Sequence, residues 1–126
     1  MMILGIGVDI LEVGRMERAL KQKDFREQVF TPGEIAYCER KGAHSSESYA
    51  ARFAAKEAVG KALGTGVHRS QLLEIEVLTD ASGQPSLHFT GDIARLAGEK
   101  KLGRAFVSLS HTAGNAIAQV ILEAAQ

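Results

Sequence analysis

From Met2 to Ile10 the chain alternates: Leu4, Ile6, Val8 and Ile10 fall on one side, and Gly5, Gly7 and Asp9 on the other. That period of two predicts a strand. Glycine weakens a strand interior, so two glycines beside a carboxylate point to something close above that face. It is either a packed helix, with Asp9 capping the next one, or a ligand that Asp9 reaches. The period then lengthens, with Val13, Met16 and Leu20 recurring as on a helix over Glu12 to about Gln22. Phe25 to Phe30 is a short apolar-edged segment. Thr31-Pro32-Gly33-Glu34 starts a helix through a capping box with proline at its first position; it runs to about Lys41 and stops at Gly42. Tyr37 and Cys38 are assigned to its core side. His44-Ser45-Ser46 is a turn in which a serine caps a long helix, which ends at Leu63 and is stopped by Gly64. On that helix Phe53, Ala54, Ala58, Val59, Ala62 and Leu63 share one side. Glu57 and Lys61 form a second stripe, with Lys56 beside it.

Alternation returns in Leu73 to Thr79, where Leu73, Ile75 and Val77 oppose Glu74 and Glu76. A turn at Asp80–Pro85 leads to a short strand, Ser86 to Phe89. Asp92 to Lys101 reads as a helix closed by Gly103. Ala105 to Ser110 and Ala116 to Leu122 are apolar strands joined by a hairpin at His111–Asn115. One strand, then helices, then strands with a single helix predicts an α+β fold: a mainly antiparallel sheet with the long helix packed on it.

A length of 126 residues predicts one domain, 1–126. Fifteen basic residues balance fifteen acidic ones, so bulk charge points away from a nucleic-acid or membrane partner. The balance is broken locally. Arg15, Arg18, Lys21, Lys23 and Arg26 face only Glu17 and Asp24, and that surplus is either a solvated face or a docking surface for an acidic partner. The single Cys38 fits a reducing compartment. With no membrane-length apolar run and a poor signal-peptide pattern at the start, the expected location is cytoplasmic.

Several chemistries lack their residues. Gly64-Thr65-Gly66 is not followed by the glycine, lysine and hydroxyl of a P-loop. No serine sits in a nucleophile elbow, and His44, His68, His88 and His111 are too scattered for zinc. What remains is Asp9 and Glu57, with Lys56, Lys61 and His111. Two carboxylates suit Mg2+, whose shell is otherwise water and substrate phosphates, and a lysine one turn after Glu57 suits those phosphates. The plain alternative is a solvated Glu57–Lys61 pair that only steadies its helix.

Three spaced motifs raise this set above generic phosphoryl chemistry. Gly5-Ile6-Gly7-Val8-Asp9-Ile10 with Arg15, Arg52-Phe53-Ala54-Ala55-Lys56-Glu57-Ala58 with Lys61 and Gly64-Thr65-Gly66, and Ser108-Leu109-Ser110-His111-Thr112 together resemble the holo-acyl-carrier-protein synthases. These are the short bacterial class of 4′-phosphopantetheinyl transferases. The resemblance implies transfer of the 4′-phosphopantetheine arm of coenzyme A to a serine of apo acyl carrier protein, supporting fatty acid biosynthesis. It implies Mg2+ on Asp9 and Glu57, which with Lys61 form the catalytic set, Lys61 contacting phosphate. It implies a coenzyme A pocket that draws on Arg52, Lys61, Gly64, Thr65, Gly66, Pro85 and His111, and a carrier surface on Arg15, Arg18, Lys21 and Arg26, which Ala19 and Asp24 thin. It also implies a homotrimer with sites at subunit interfaces. The base that takes the serine proton stays open between Glu57 and a water held by the metal. A Mg2+-dependent nucleotide hydrolase and a non-catalytic carrier- or coenzyme-A-binding module are the rival readings.

Overall fold

The glycine face of the first strand decides the architecture, because a helix can settle onto it closely. The computed structural model describes residues 2–126. In chain order it runs β1 (Ile3–Glu12), α1 (Val13–Leu20), α2 (Phe25–Val29), α3 (Pro32–Glu39), α4 (Ser45–Leu63), β2 (Ile75–Thr79), β3 (Pro85–Phe89), α5 (Gly91–Glu99), β4 (Leu102–His111) and β5 (Asn115–Ala124). Short 3-10 turns at Gly42–His44 and Arg69–Glu74 flank α4. Strands β1, β5 and β4 form one antiparallel sheet in that order, and β2 and β3 pair separately. The α+β fold read from the sequence is the one observed.

Helix α4 lies across β1 so tightly that a Cβ at Gly5 would meet the Ala62 carbonyl and one at Gly7 the Ala58 carbonyl. The packing reading of the glycines is therefore right, yet Asp9 caps nothing, since α1 has no side-chain cap. Ala54, Ala58, Val59 and Ala62 of α4 pack against Val120 and Leu122 of β5 and Ile75 of β2 to form one core. A second core gathers Val13, Met16, Phe25, Phe30, Cys38 and Tyr49 around the first half of α4. Between two cores α4 is buried on nearly every side, well beyond the single apolar stripe the sequence predicts, and Phe53 is only half-buried at its edge.

The capping box at Thr31 and Glu34 forms as expected: the Glu34 amide donates to Thr31 Oγ1 at 3.2 Å and the Thr31 amide to Glu34 Oε1 at 2.9 Å. Other local expectations shift. No serine caps α4; His44 holds that position without a side-chain cap. Leu73 belongs to a 3-10 turn that buries Leu72 in its place. Helix α5 ends at Glu99 and the chain turns through Lys101 at φ 62°, two residues before Gly103. Tyr37 is half-buried at a cleft, not in the core.

One face of the three-stranded sheet stays open. Ile6, Val8 and Ile10 of β1, Phe106 of β4 and Ile117 of β5 all point away from α4 and are exposed. The helix took the glycine side because only that side lets two backbones meet, and the large aliphatic side chains were left outside.

Candidate active site

The close seat of α4 on Gly5 and Gly7 brings Glu57 and Lys61 beside Asp9. Lys61 Nζ donates to Asp9 Oδ1 at 2.9 Å and to the Val8 carbonyl oxygen at 3.0 Å. Burial first, and the Asp9 charge second, push the Glu57 carboxyl above the ordinary carboxylate value, against the pull of Lys61. The structure thus gathers all three residues at one place. Among the described residues no group of three or more His, Cys, Asp or Glu is arranged to hold a metal. What Asp9 and Glu57 offer is a two-carboxylate seat, the kind Mg2+ uses when water and phosphate oxygens complete its shell.

Lys56 is not part of this site. It is fully buried and donates to the Val29 carbonyl at 2.7 Å, the Leu72 carbonyl at 2.8 Å and Glu34 Oε1 at 2.8 Å. Burial pulls its pKa below the ordinary lysine value, while Glu34 pulls the other way. The lysine grouped with the chemistry on sequence belongs to the core.

A second feature is a cleft of about 510 Å3 whose walls include Tyr37, Lys41, Arg52, Thr79, Pro85 and His111. Arg52 is buried and already anchored: one terminal nitrogen donates to Thr79 Oγ1 at 2.8 Å, the other to Ser48 Oγ at 3.3 Å, and the guanidinium lies 4.0 Å from the Tyr37 ring centre. Its Nε is buried and has no hydrogen-bond partner among the described residues. Burial raises the Tyr37 phenol, but the nearby Lys41 and Arg52 charges win and hold it below its usual value.

The residues that resemblance assigns to one pocket lie at two places on this chain. Arg52, Pro85 and His111 share the cleft. Gly64, Thr65 and Gly66 turn at the other end of α4, about 18 Å along its axis from Arg52 at 1.5 Å per residue. There Gly64 and Gly66 take φ values of 80° and 70°, and the Gly66 amide donates to the Gly60 carbonyl at 3.0 Å. Arg15 and Arg18 on α1 and Lys21 just after it are exposed, but Arg26 is turned inward: its Nε donates to the Tyr49 hydroxyl at 3.1 Å and pairs with Glu39 at 3.4 Å. Of the unforeseen cleft residues, Tyr37 carried a signal, since Arg40 and Lys41 follow it at helical spacing. Thr79 carried none.

A family model described as the 4′-phosphopantetheinyl transferase superfamily matches residues 5–118. The holo-[acyl-carrier-protein] synthase of Geobacter sp. strain M21 is 46% identical over 125 residues, covering 97% of this chain and 99% of its own. Among solved structures, the holo-(acyl-carrier-protein) synthase of Bacillus anthracis in complex with CoA (3′,5′-ADP) superposes with a TM-score of 0.81 at 38% identity, over 99% of this chain and 100% of that one. The Neisseria meningitidis holo-[acyl-carrier-protein] synthase gives a TM-score of 0.85 at 32% identity, over 97% and 99%. With its fold, its three motifs and these likenesses in agreement, the chain belongs to the 4′-phosphopantetheinyl transferase superfamily and, within it, to the holo-[acyl-carrier-protein] synthases.

Proposed function

We propose that the chain moves the 4′-phosphopantetheine arm from coenzyme A to a serine of apo acyl carrier protein, using Mg2+ held by Asp9 and Glu57. The observation that carries this is the convergence of Asp9, Glu57 and Lys61 at one half-buried seat that Lys61 opens to the surface. In the reaction the serine oxygen bonds to the β-phosphorus of coenzyme A, the diphosphate bond breaks, and adenosine 3′,5′-bisphosphate leaves. Mg2+, when bound, supplies neutralisation of the diphosphate charge. Lys61 is more than half exposed and held by two acceptors, so it is free to exchange Asp9 for a phosphate oxygen and offset charge on the leaving group. Glu57, or a water in its place, takes the serine proton. Arg52, Pro85 and His111, which line one cleft, receive the nucleotide end. Arg15, Arg18 and Lys21 face the acidic carrier.

The assembly belongs to the same proposal. The open apolar sheet face is a surface that a second copy would cover, and it supports a homotrimer. In such a ring the cleft of one copy meets the Asp9, Glu57 and Gly64–Gly66 end of its neighbour, which accounts for a pocket split in two on a single chain. Cytoplasmic location and service to fatty acid biosynthesis complete the proposal; no helix among the described residues is long and apolar enough to cross a membrane.

The test is to incubate apo carrier protein, coenzyme A and Mg2+ with the enzyme and weigh the carrier. A gain of one phosphopantetheine is expected, abolished in Asp9→Ala and Glu57→Ala. Near-normal transfer by either variant at limiting Mg2+ overturns the metal assignment. Phosphate released with no acceptor would mark a hydrolase, and binding indifferent to both substitutions a non-catalytic module.

A further inference from the structure

Most of what α4 buries is alanine: Ala50, Ala51, Ala54, Ala55, Ala58 and Ala62. A helix resists rolling about its own axis when large side chains interlock as ridges and grooves. Alanine ridges are shallow, and on β1 the helix meets glycine backbone. Those contacts fix how near α4 lies to the sheet and do little to fix how far it is turned. The turn matters for Glu57. Its carboxylate takes no hydrogen bond among the described residues; only burial and the charges of Asp9 and Lys61 act on it. The helix backbone alone aims it. With side chains reaching about 5–6 Å from the axis, a roll of about 20° carries the carboxylate about 2 Å, the length of a whole Mg2+–oxygen bond.

Lys56 precedes Glu57 and points about 100° round the helix from it. Its side chain is fully buried, and its three acceptors lie outside α4. They are the Val29 carbonyl at the end of α2 at 2.7 Å, Glu34 Oε1 in the first turn of α3 at 2.8 Å and the Leu72 carbonyl in the turn before β2 at 2.8 Å. This socket is itself fixed, since Glu34 also accepts the Thr31 amide at 2.9 Å and the Val77 amide at 2.8 Å. Tyr49 and Arg52 tie α4 to Glu39 and Thr79, but farther back along the helix from Glu57. The Lys56 charge is not among those that shift the Glu57 carboxyl, so its hold on Glu57 is mechanical.

We propose that Lys56 is a positioning residue: its anchored side chain sets the roll of α4 and so aims Glu57 at Asp9 for the metal they share. This rests on Mg2+ being held by Asp9 and Glu57. A lysine that only held the core together would lower stability and leave metal affinity where it is.

Lys56→Met removes the anchor, and a Lys56→Met/Glu34→Gln protein removes it without stranding the buried carboxylate, so that the chain stays folded. Ile93→Ala, at a fully buried position in α5, supplies a protein destabilised with the anchor intact. Mg2+ titrations without coenzyme A, followed through the amide signals of Asp9 and Glu57, and steady-state transfer are measured where urea titration shows every protein folded. In the double variant the Kd for Mg2+ is expected to rise and kcat to fall, each by about 10–100-fold, as when a group supporting a metal ligand is deleted. Ile93→Ala should bind Mg2+ as the parent does. Parental Mg2+ affinity in the double variant overturns the proposal, and so does an equal loss in Ile93→Ala. A parent protein that does not respond to Mg2+ overturns the metal assignment as well, a result distinct from the other two.

Discussion

Lys56 and Lys61 stand five residues apart on α4 with the same charge, and the fold uses them in opposite ways. Lys56 is sealed, with all three ammonium hydrogens given to fixed acceptors drawn from α2, α3 and the turn before β2. Lys61 is open and shares its charge between Asp9 and one carbonyl. A cation whose donors are all committed in a dry box cannot serve a substrate, because leaving the box would strand Glu34. A cation at the surface can change partners at little cost. The same residue type is a structural bolt in one place and a mobile charge in the other, and burial with partner count decides which.

The sharpest way to break this contrast is to remove each lysine in turn. Lys56→Met leaves the Glu34 carboxylate buried without its cation, and the expected loss is about 3–5 kcal/mol of stability. Adding Glu34→Gln should return part of it, since the stranded charge is then gone. Lys61→Met should stay within about 0.5–1 kcal/mol of the parent, as exposed pairs do. Its transfer rate should nevertheless fall about a hundredfold or more, as when one charge-stabilising group is deleted. Urea unfolding and the time course of carrier mass read both. Equal stability losses in the two single variants would erase the distinction.

A second test moves the helix that carries both residues. Gly7→Ala drives a methyl into the Ala58 carbonyl, which is backbone and cannot swing aside. Overpacking of this kind is expected to cost about 1–3 kcal/mol. It also lifts Glu57 and Lys61 away from Asp9, so transfer should drop in protein that is still folded at low temperature. Normal activity in a destabilised Gly7→Ala protein would show that the close seat serves packing only.

Much of this was legible in the sequence where short-range rules govern. The Thr31–Glu34 capping box and the Gly64 stop are local and appear as read. The β1 alternation holds from Ile6 to Ile10, while Leu4 packs on the core at a register shift. The hairpin forms with a tighter turn, because His111 and Asn115 pair within the strands. Asp9, Glu57 and Lys61 were legible as the residues left once other chemistries were excluded, and the motif resemblance implied that they meet, since periodicity says nothing about a strand meeting a helix some fifty positions away. What was misread depends on tertiary context. Lys56 looked like chemistry because its acceptors lie 16 to 27 residues off in sequence. Tyr37 looked like core because an aromatic on a helix usually is, and only the approach of Arg52 and Lys41 makes it a cleft wall. The exposure of Ile6, Val8 and Ile10 follows from which face α4 selects, and a two-residue period leaves that choice open.

The smallest expected effect concerns Glu57 in metal-free protein. Its carboxyl is held above the ordinary value of 4.5 by burial and by Asp9. Between that ordinary value and the raised one the folded chain binds more protons than the unfolded chain, so stability falls as pH rises through the window. Above the window the ionised group weighs fully against the fold; below the ordinary carboxylate range it weighs nothing. Glu57→Gln carries no such burden, so it should be slightly more stable than the parent at neutral pH in a chelator, by less than about 1 kcal/mol for a half-buried group. The gap should close by about pH 4, while transfer is lost throughout. Paired urea titrations at the two pH values read it. A Gln variant less stable than the parent at neutral pH would mean that Glu57 is held by favourable contacts, as Lys56 is, and that its side of the helix is not the strained, solvent-facing one the lysine contrast requires.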